Sequence, residues 1–394
     1  MTPEELHGRV EEFLAQHPPA TTDRSEFLHA RYRAGLAWVA FPEGHGGLGL
    51  PRAMQPLVDE LFVAAGAPDN NPRTNGIGLG MAAPTILAYG TTAQKDRFLE
   101  PLWCGEEIWC QLFSEPGAGS DLAGLATRAV RDGDTWVVNG QKVWTSGAQN
   151  ADFAILVART DPDVPKHRGL TYFLCDMHDP GVDVRPLRQI TGEAEFNEVF
   201  LTDVRIPDGH RLGDVGDGWR VANATLNNER VAIGGNAMPR EGGMVGVVAQ
   251  AWRDNPDQHT PELHDRLMRL WVESEVARLT GQRLRQKLAV GQPGPEGSAM
   301  KLTFAKVNQQ LSGLEIELRG ADGLRYDDPG WTERRPQQVV MTGRDAIYRY
   351  LRAKGNSIEG GTSEILRNIV SERVLGLPAE PRVDKDVPWK EIPR

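Results

Sequence analysis

Apolar residues recur with a helical period towards both ends of the chain and in strand-like runs between them. Up to about residue 109, segments 56–64 and 93–99 have helical propensity, and a glycine-rich loop over 42–49 precedes them. The pattern then changes. Runs rich in β-branched and aromatic residues at 153–158, 169–175 and 198–201 predict short strands. Asp132-Gly133 and Asn139-Gly140 are turn signals, because both dipeptides suit positive φ, and they predict two hairpins. From Gly218 the helical period returns. Phe304, Val307, Leu311, Leu314 and Leu318 form a stripe that must bury against other helices, and Leu263, Leu267 and Leu270 begin a second. Further helices are predicted over about 342–353 and 364–375. Past Gly376, prolines predict a tail that is exposed or hugs a partner. The order of helices, strands and helices predicts an α+β multidomain chain. Its parts are an α-helical domain over 1–109, a β domain over 110–215, a helical domain over 216–378 and a tail over 379–394.

A chain of 394 residues is too long for one ordinary core, which agrees with several packed units. A net charge of −10 counts against nucleic acid as a partner, because that binding needs a basic stripe. Cys104, Cys110 and Cys175 make neither a disulfide framework nor a C-x-x-C pair, so reduced thiols are expected. No basic region followed by an apolar run opens the sequence, and no stretch is apolar enough for a bilayer. The expectation is a soluble, cytoplasmic protein with no membrane attachment. Gly76-Ile77-Gly78-Leu79-Gly80 lacks the preceding strand and the glycine spacing of a dinucleotide loop, and predicts a turn. The histidines form no metal-binding pattern, so no metal is expected.

Ser114-Glu115-Pro116-Gly117-Ala118-Gly119-Ser120-Asp121 is the strongest local signal. Its small residues let backbone N–H groups approach a ligand closely, and its serines add hydroxyl donors. A tight turn capping the strand domain would use the same residues. Further on, Gln141-Lys142-Val143-Trp144-Thr145-Ser146-Gly147 sets an indole beside two hydroxyls. That arrangement suits a flat conjugated ring such as an isoalloxazine, and equally a tryptophan buried under the hairpin.

These segments, extended to Phe113 and to Asn139, resemble the first signature of the acyl-CoA dehydrogenase family and the segment after it. Ser357-Ile358-Glu359-Gly360-Gly361-Thr362-Ser363-Glu364-Ile365 resembles the C-terminal signature of that family, and 41–49 and 94–102 add supporting matches in family order. The resemblance covers nearly the whole chain. It implies an N-terminal α-helical domain, a middle β-barrel and a C-terminal four-helix bundle, with FAD as cofactor. The implied reaction is α,β-desaturation of an acyl-CoA thioester, with proton removal at Cα and hydride transfer from Cβ to flavin N5. By position, Gln111, Phe113, Ser114, Gly119, Ser120, Trp144, Thr145 and Ser146 would hold the flavin ring and ribityl chain, and Thr362, Ser363 and Glu364 would meet the rest of FAD. Ser120 would also face the pantetheine arm, Asn227 and Arg230 would line the acyl-CoA channel, and Gly360 would border the substrate.

Most members of the family carry the catalytic base at the position of Gly360, and glycine cannot be a base. Glu359 is one residue out of register. A minority place the glutamate on a helix that matches Leu226-Asn227-Asn228-Glu229-Arg230-Val231, so the resemblance assigns the base to Glu229. Without that context Glu229 would read as a surface glutamate paired along its helix. The segments that lend the second half of a FAD site to a twin subunit match poorly at 251–256 and 318–323. This resembles heteromeric actinobacterial acyl-CoA dehydrogenases, including those acting on steroid side chains, although a homo-oligomer stays open. Electron-transfer flavoprotein is the implied electron acceptor. The alternatives are a flavin monooxygenase or oxidase on the same scaffold, and an assembly subunit with little activity of its own.

Overall fold

A computed structural model describes residues 1–233, 239–290, 295–326, 343–382 and 384–393, without the side chains of 229–233 and 287–290. The first helices are α1 (Pro3–Gln16), α2 (Arg24–Arg33), α3 (Gln55–Ala64), α4 (Ala83–Tyr89) and α5 (Thr92–Cys104). Capping boxes open α1 at Thr2/Glu5 and α5 at Thr91/Gln94, and Gly105 ends α5 at φ +74°. Phe13, Phe27 and Phe62, from α1, α2 and α3, meet edge to face at 5.4–5.9 Å between centroids. The turn predicted over 76–80 is instead helical, since a π-helical stretch, Gly78–Ala82, leads directly into α4. Glycine is needed there for room, because a Cβ on Gly78 would lie 2.2 Å from Asn75 Oδ1. The buried Asn75 amide donates to the carbonyls of Leu102 and Glu107 and accepts from Trp109 N–H, each at 3.0 Å.

The strands are β1 (Trp109–Leu112), β2 (Arg128–Asp132), β3 (Thr135–Ser146), β4 (Phe153–Arg159), β5 (Leu170–Asp176), β6 (Val182–Leu187), β7 (Phe196–Pro207) and β8 (Arg211–Leu212). They form one mixed sheet in the order β6-β7-β3-β2-β4-β5-β8, with β1 parallel to β4. The sheet curls, because Trp136 of β3 and Phe173 of β5 meet at 5.5 Å across the strands between them. β2 and β3 make the hairpin predicted at Asp132-Gly133. The second predicted hairpin does not exist: β3 runs straight through Asn139 and Gly140, with a register shift against β7. Gly140 is required because a Cβ would lie 2.3 Å from Thr127 Oγ1, and Asn139 exchanges hydrogen bonds with Asp203 instead of turning.

The remaining helices are α6 (Gly218–Ile233), α7 (Met244–Asp254), α8 (Pro261–Val290), α9 (Gly297–Arg319), α10 (Ala346–Ala353) and α11 (Ser363–Ile369), the last continued by a π-helical turn over Val370–Val374. The predicted start of α10 at 342 lies outside the described residues. Val248, Leu267, Leu270, Val307, Leu311, Leu314 and Leu318 build the core of α7, α8 and α9. Phe304 departs from its predicted stripe and is 53% exposed. Helical period assigns a face but not how far a neighbouring helix runs along it.

The chain forms two compact units. One comprises Met1–Pro186, Phe196–Asn228 and Val383–Arg394, and the other Leu187–Glu195 and Glu229–Arg382. The first therefore packs the early helices and the sheet together, and Leu28, Phe98, Trp109, Phe113 and Tyr172 share one core in it. The tail also departs from expectation. Residues 377–382 are exposed, but 384–393 dock on the loop between β4 and β5 in the first unit, where Trp389 N–H donates to Val164 O at 3.0 Å. Paired backbone groups and a stacked indole outweigh the stiffness of the prolines.

Candidate active site

Strand β1 runs out into the Ser114–Asp121 segment, and a buried ion pair fixes this glycine-rich stretch. Lys142 Nζ lies 2.8 Å from Glu115 Oε1 and also donates to the carbonyls of Phe113 at 3.0 Å and Val157 at 2.9 Å. All three ammonium protons are thus used, although the side chain is 0% exposed. Glu115 accepts in addition from the N–H groups of Ala126 and Thr127. Burial pushes the Glu115 carboxyl up, but Lys142 and these donors outweigh it and hold it below the usual carboxylate range. Two backbone hydrogen bonds between Glu115 and Ala118 close the turn, and Val143 N–H donates to Ser114 O at 2.9 Å. Phe113 sits edge-on to Tyr172, Gln111 is half-buried on β1, and Gly119 and Ser120 are exposed.

Next to this turn, β3 breaks register. Lys142 pairs with Val199 and Thr145 with Asn197, so two residues of β3 oppose one of β7, a β-bulge. Within it Trp144 takes φ +62°, a left-handed conformation that costs a non-glycine residue about 1–2 kcal/mol. Its ring is 58% exposed and touches Phe196 edge-on at 5.8 Å. The buried-tryptophan reading therefore fails. Thr145 is buried, its hydroxyl has no hydrogen-bond partner among the described residues, and Ser146 is exposed. An outward indole, the exposed Ser146 and a glycine-rich turn meet here, and this set fits a large planar ligand with hydrogen-bonding edges.

Helix α6 carries the candidate base. Thr225, one turn before Glu229, bonds to Tyr172 Oη and Thr85 Oγ1, each at 3.0 Å, in a buried hydroxyl cluster. Asn227 is exposed, and the side chains of Glu229 and Arg230 lie outside the described residues. In the second unit, Thr362 caps α11 by accepting from Ile365 N–H, Ser363 is half-buried, and the exposed Glu364 pairs with Arg367 at 3.1 Å. Gly360 and Gly361 have φ of +61° and +92°, and Lys301 Nζ donates to Gly361 O at 2.6 Å. Glu359 accepts from both Arg352 Nη atoms, at 3.1 and 2.8 Å, and from Asn356 Nδ2 at 2.6 Å. Burial raises its pKa, but Arg352 outweighs burial and leaves it below the usual range, so Glu359 is a poor proton acceptor.

The structure thus gathers Gln111, Phe113, Ser114, Gly119, Ser120 and 144–146 in the first unit, and places Gly360 and 362–364 in the second. Sequence reasoning missed the Glu115–Lys142 pair, the Thr225 cluster and Arg352. Two opposite charges inside otherwise small and apolar motifs were the available signal for the first. Among the described residues no three His, Cys, Asp or Glu are grouped to hold a metal, and no helix is long and apolar enough to cross a membrane. All three cysteines are free and buried.

Models of the N-terminal, middle and C-terminal domains of acyl-CoA dehydrogenase match residues 3–106, 110–204 and 216–375. That succession of domains is the construction of the acyl-CoA dehydrogenases, which are oxidoreductases acting on CH–CH bonds. The chain belongs to the acyl-CoA dehydrogenase family. It is 42% identical to acyl-CoA dehydrogenase FadE34 of Mycobacterium tuberculosis over 84% of this chain, and spans 43% of that relative's length. Acyl-CoA dehydrogenase IpdE1 of the same organism is 40% identical over 88% of this chain and 86% of its own. A chain of the ChsE4–ChsE5 complex from Mycobacterium tuberculosis superposes with a TM-score of 0.70 at 27% identity, over 96% of this chain and 97% of its own.

Proposed function

We propose that this chain is a FAD-dependent acyl-CoA dehydrogenase that desaturates an acyl-CoA thioester between Cα and Cβ, with Glu229 as the base. The observation that carries this reading is Trp144, held outward at a strained bulge beside the turn locked by Glu115 and Lys142. When bound, FAD supplies the acceptor for the hydride that leaves Cβ. Gln111, Phe113, Ser114, Gly119, Ser120 and 144–146 hold its ring and ribityl chain, with Trp144 and Ser146 exposed on that face. Thr362, Ser363 and Glu364 contribute to the rest of the cofactor. Ser120 faces the pantetheine arm, Asn227, Arg230 and Gly360 border the acyl chain, and Glu229 takes the Cα proton. The pairing of Glu359 with Arg352 supports Glu229, because it removes the neighbouring carboxylate from contention.

The same reading divides the chain near residues 109, 215 and 378, places it in the cytoplasm and passes its electrons to an electron-transfer flavoprotein. A second acyl-CoA dehydrogenase-like chain completes the FAD site, supported by the weak matches at 251–256 and 318–323 and by the two-chain relative ChsE4–ChsE5. Glu229→Gln tests the assignment. Dye-linked turnover should fall by about 10²–10⁴-fold with flavin retained. Near-normal turnover with full flavin would place the base elsewhere.

A further inference from the structure

Beyond Ala118 the glycine-rich segment leaves its turn. Gly119, Ser120 and Asp121 are exposed and lie outside every strand and helix. Side chains from elsewhere hold residues 121–125. Arg159 donates to Ala123 O at 2.6 Å and Leu125 O at 3.0 Å, and Trp389 Nε1 donates to the intervening Gly124 O at 3.1 Å. The Trp389 ring also lies against the Arg159 guanidinium, 4.1 Å from its carbon. Lys166 Nζ bridges Asp121 Oδ2 at 2.8 Å and Asp384 Oδ2 at 2.5 Å. Segment 384–393 is itself pinned to the 162–165 loop by Trp389 N–H to Val164 O, Lys390 N–H to Pro162 O, and an ion pair between Lys390 and Asp163 at 2.5 Å.

We propose that segment 384–393 is a strap that positions the acyl-CoA-binding loop, with Lys166 and Trp389 as the positioning residues acting on 119–125. The inference rests on the reading of Ser120 as a pantetheine contact. A glycine-rich loop loses much conformational entropy when it orders around a ligand, and an external clamp removes part of that cost before binding. Loosening the strap therefore weakens acyl-CoA binding more than it slows the chemical step.

The experiment uses full-length Trp389→Ala, Trp389→Phe and Asp384→Asn. Hydrogen exchange of the flavin-free chain is measured alongside steady-state kinetics of the flavin-loaded enzyme. In Trp389→Ala, amides 117–126 should exchange about fivefold faster or more, as expected when one hydrogen bond's worth of local protection is lost. KM for acyl-CoA should rise about five- to tenfold with kcat little changed. Trp389→Phe should fall between, since it keeps the ring on Arg159 and loses only the N–H donor. Should Trp389→Ala fail to fold, the other two variants carry the test. Unchanged exchange at 117–126, a uniform increase across the chain, or an effect on kcat alone would overturn the strap. A flavin-loaded wild-type enzyme, co-expressed with its proposed partner chain, that turns over no acyl-CoA would overturn the dehydrogenase reading instead, and exchange at 117–126 would still decide whether the strap orders the loop.

Discussion

Two residues set the chemistry of the first unit by being in costly states. Lys142 is an ammonium with no access to water, and its three acceptors, the Glu115 carboxylate among them, compensate for the lost hydration. Glu115→Gln leaves that ammonium buried without its counter-charge and should cost about 3–5 kcal/mol in urea unfolding. Adding Lys142→Met should recover part of the loss. The pH dependence has a definite sign. Glu115 titrates below its ordinary 4.5 in the folded chain, so its contribution is complete above that value and is lost as pH falls through the folded pKa. Wild type and Glu115→Gln should therefore converge in stability towards the acid end of a pH series. Trp144 is the second such residue. Trp144→Gly relieves the left-handed backbone and gives up only an edge contact with Phe196, so thermal stability should change by no more than about 1 kcal/mol. Flavin affinity should drop about tenfold or more by titration, as for loss of a large aromatic contact. A marked loss of stability with flavin affinity intact would make Trp144 structural.

Helix α6 is tied through a buried hydroxyl cluster as well as its apolar face. Thr225 joins Tyr172 of β5 to Thr85 of α4, so the turn that carries 227–230 starts from a point fixed to both sheet and helices. Thr225→Val takes the partner from the buried Tyr172 hydroxyl, while Thr85 keeps its bond to Met81 O, and should destabilise the protein by about 1–3 kcal/mol in denaturant melts. The turn before α11 places a different demand on its sequence. Gly360 sits at φ +61°, so a glutamate there is strained as well as relocated. The double change Glu229→Gly, Gly360→Glu should recover only part of the turnover lost in Glu229→Gly, because a displacement of about 1 Å can cost on the order of 10²-fold. No recovery at all, with flavin and acyl-CoA still bound, would refute the alignment of Gly360 with the usual base.

For the whole molecule, the decisive quantity is how much of the FAD site one chain can build. Expressed alone, the protein should be purified flavin-poor, with a low ratio of absorbance near 450 nm to that at 280 nm (about the isoalloxazine band against the protein band). Co-expression with its proposed partner chain should raise that ratio. A stable homotetramer carrying one tightly bound FAD per chain would defeat the two-chain proposal.

The order of helices, strands and helices was legible in the sequence because hydrophobic period is a local property, readable over about ten residues. The glycine-rich turn after β1 was legible too, since a run of small residues limits what the backbone can do. The turns misread at 76–80 and 139–140 share one cause. Gly78 makes room for the inward Asn75 side chain one turn before it, and Gly140 for Thr127, contacts that depend on how each side chain is turned by the fold. Distance along the chain hid the rest. Glu115 and Lys142 are 27 residues apart, Thr85 and Thr225 are 140 apart, and Trp389 reaches Gly124 across 265. Pairings at such separations depend on how sheet and helices pack, and packing also decided that Trp144 faces outward and that residues 384–393 fold back onto the loop between β4 and β5.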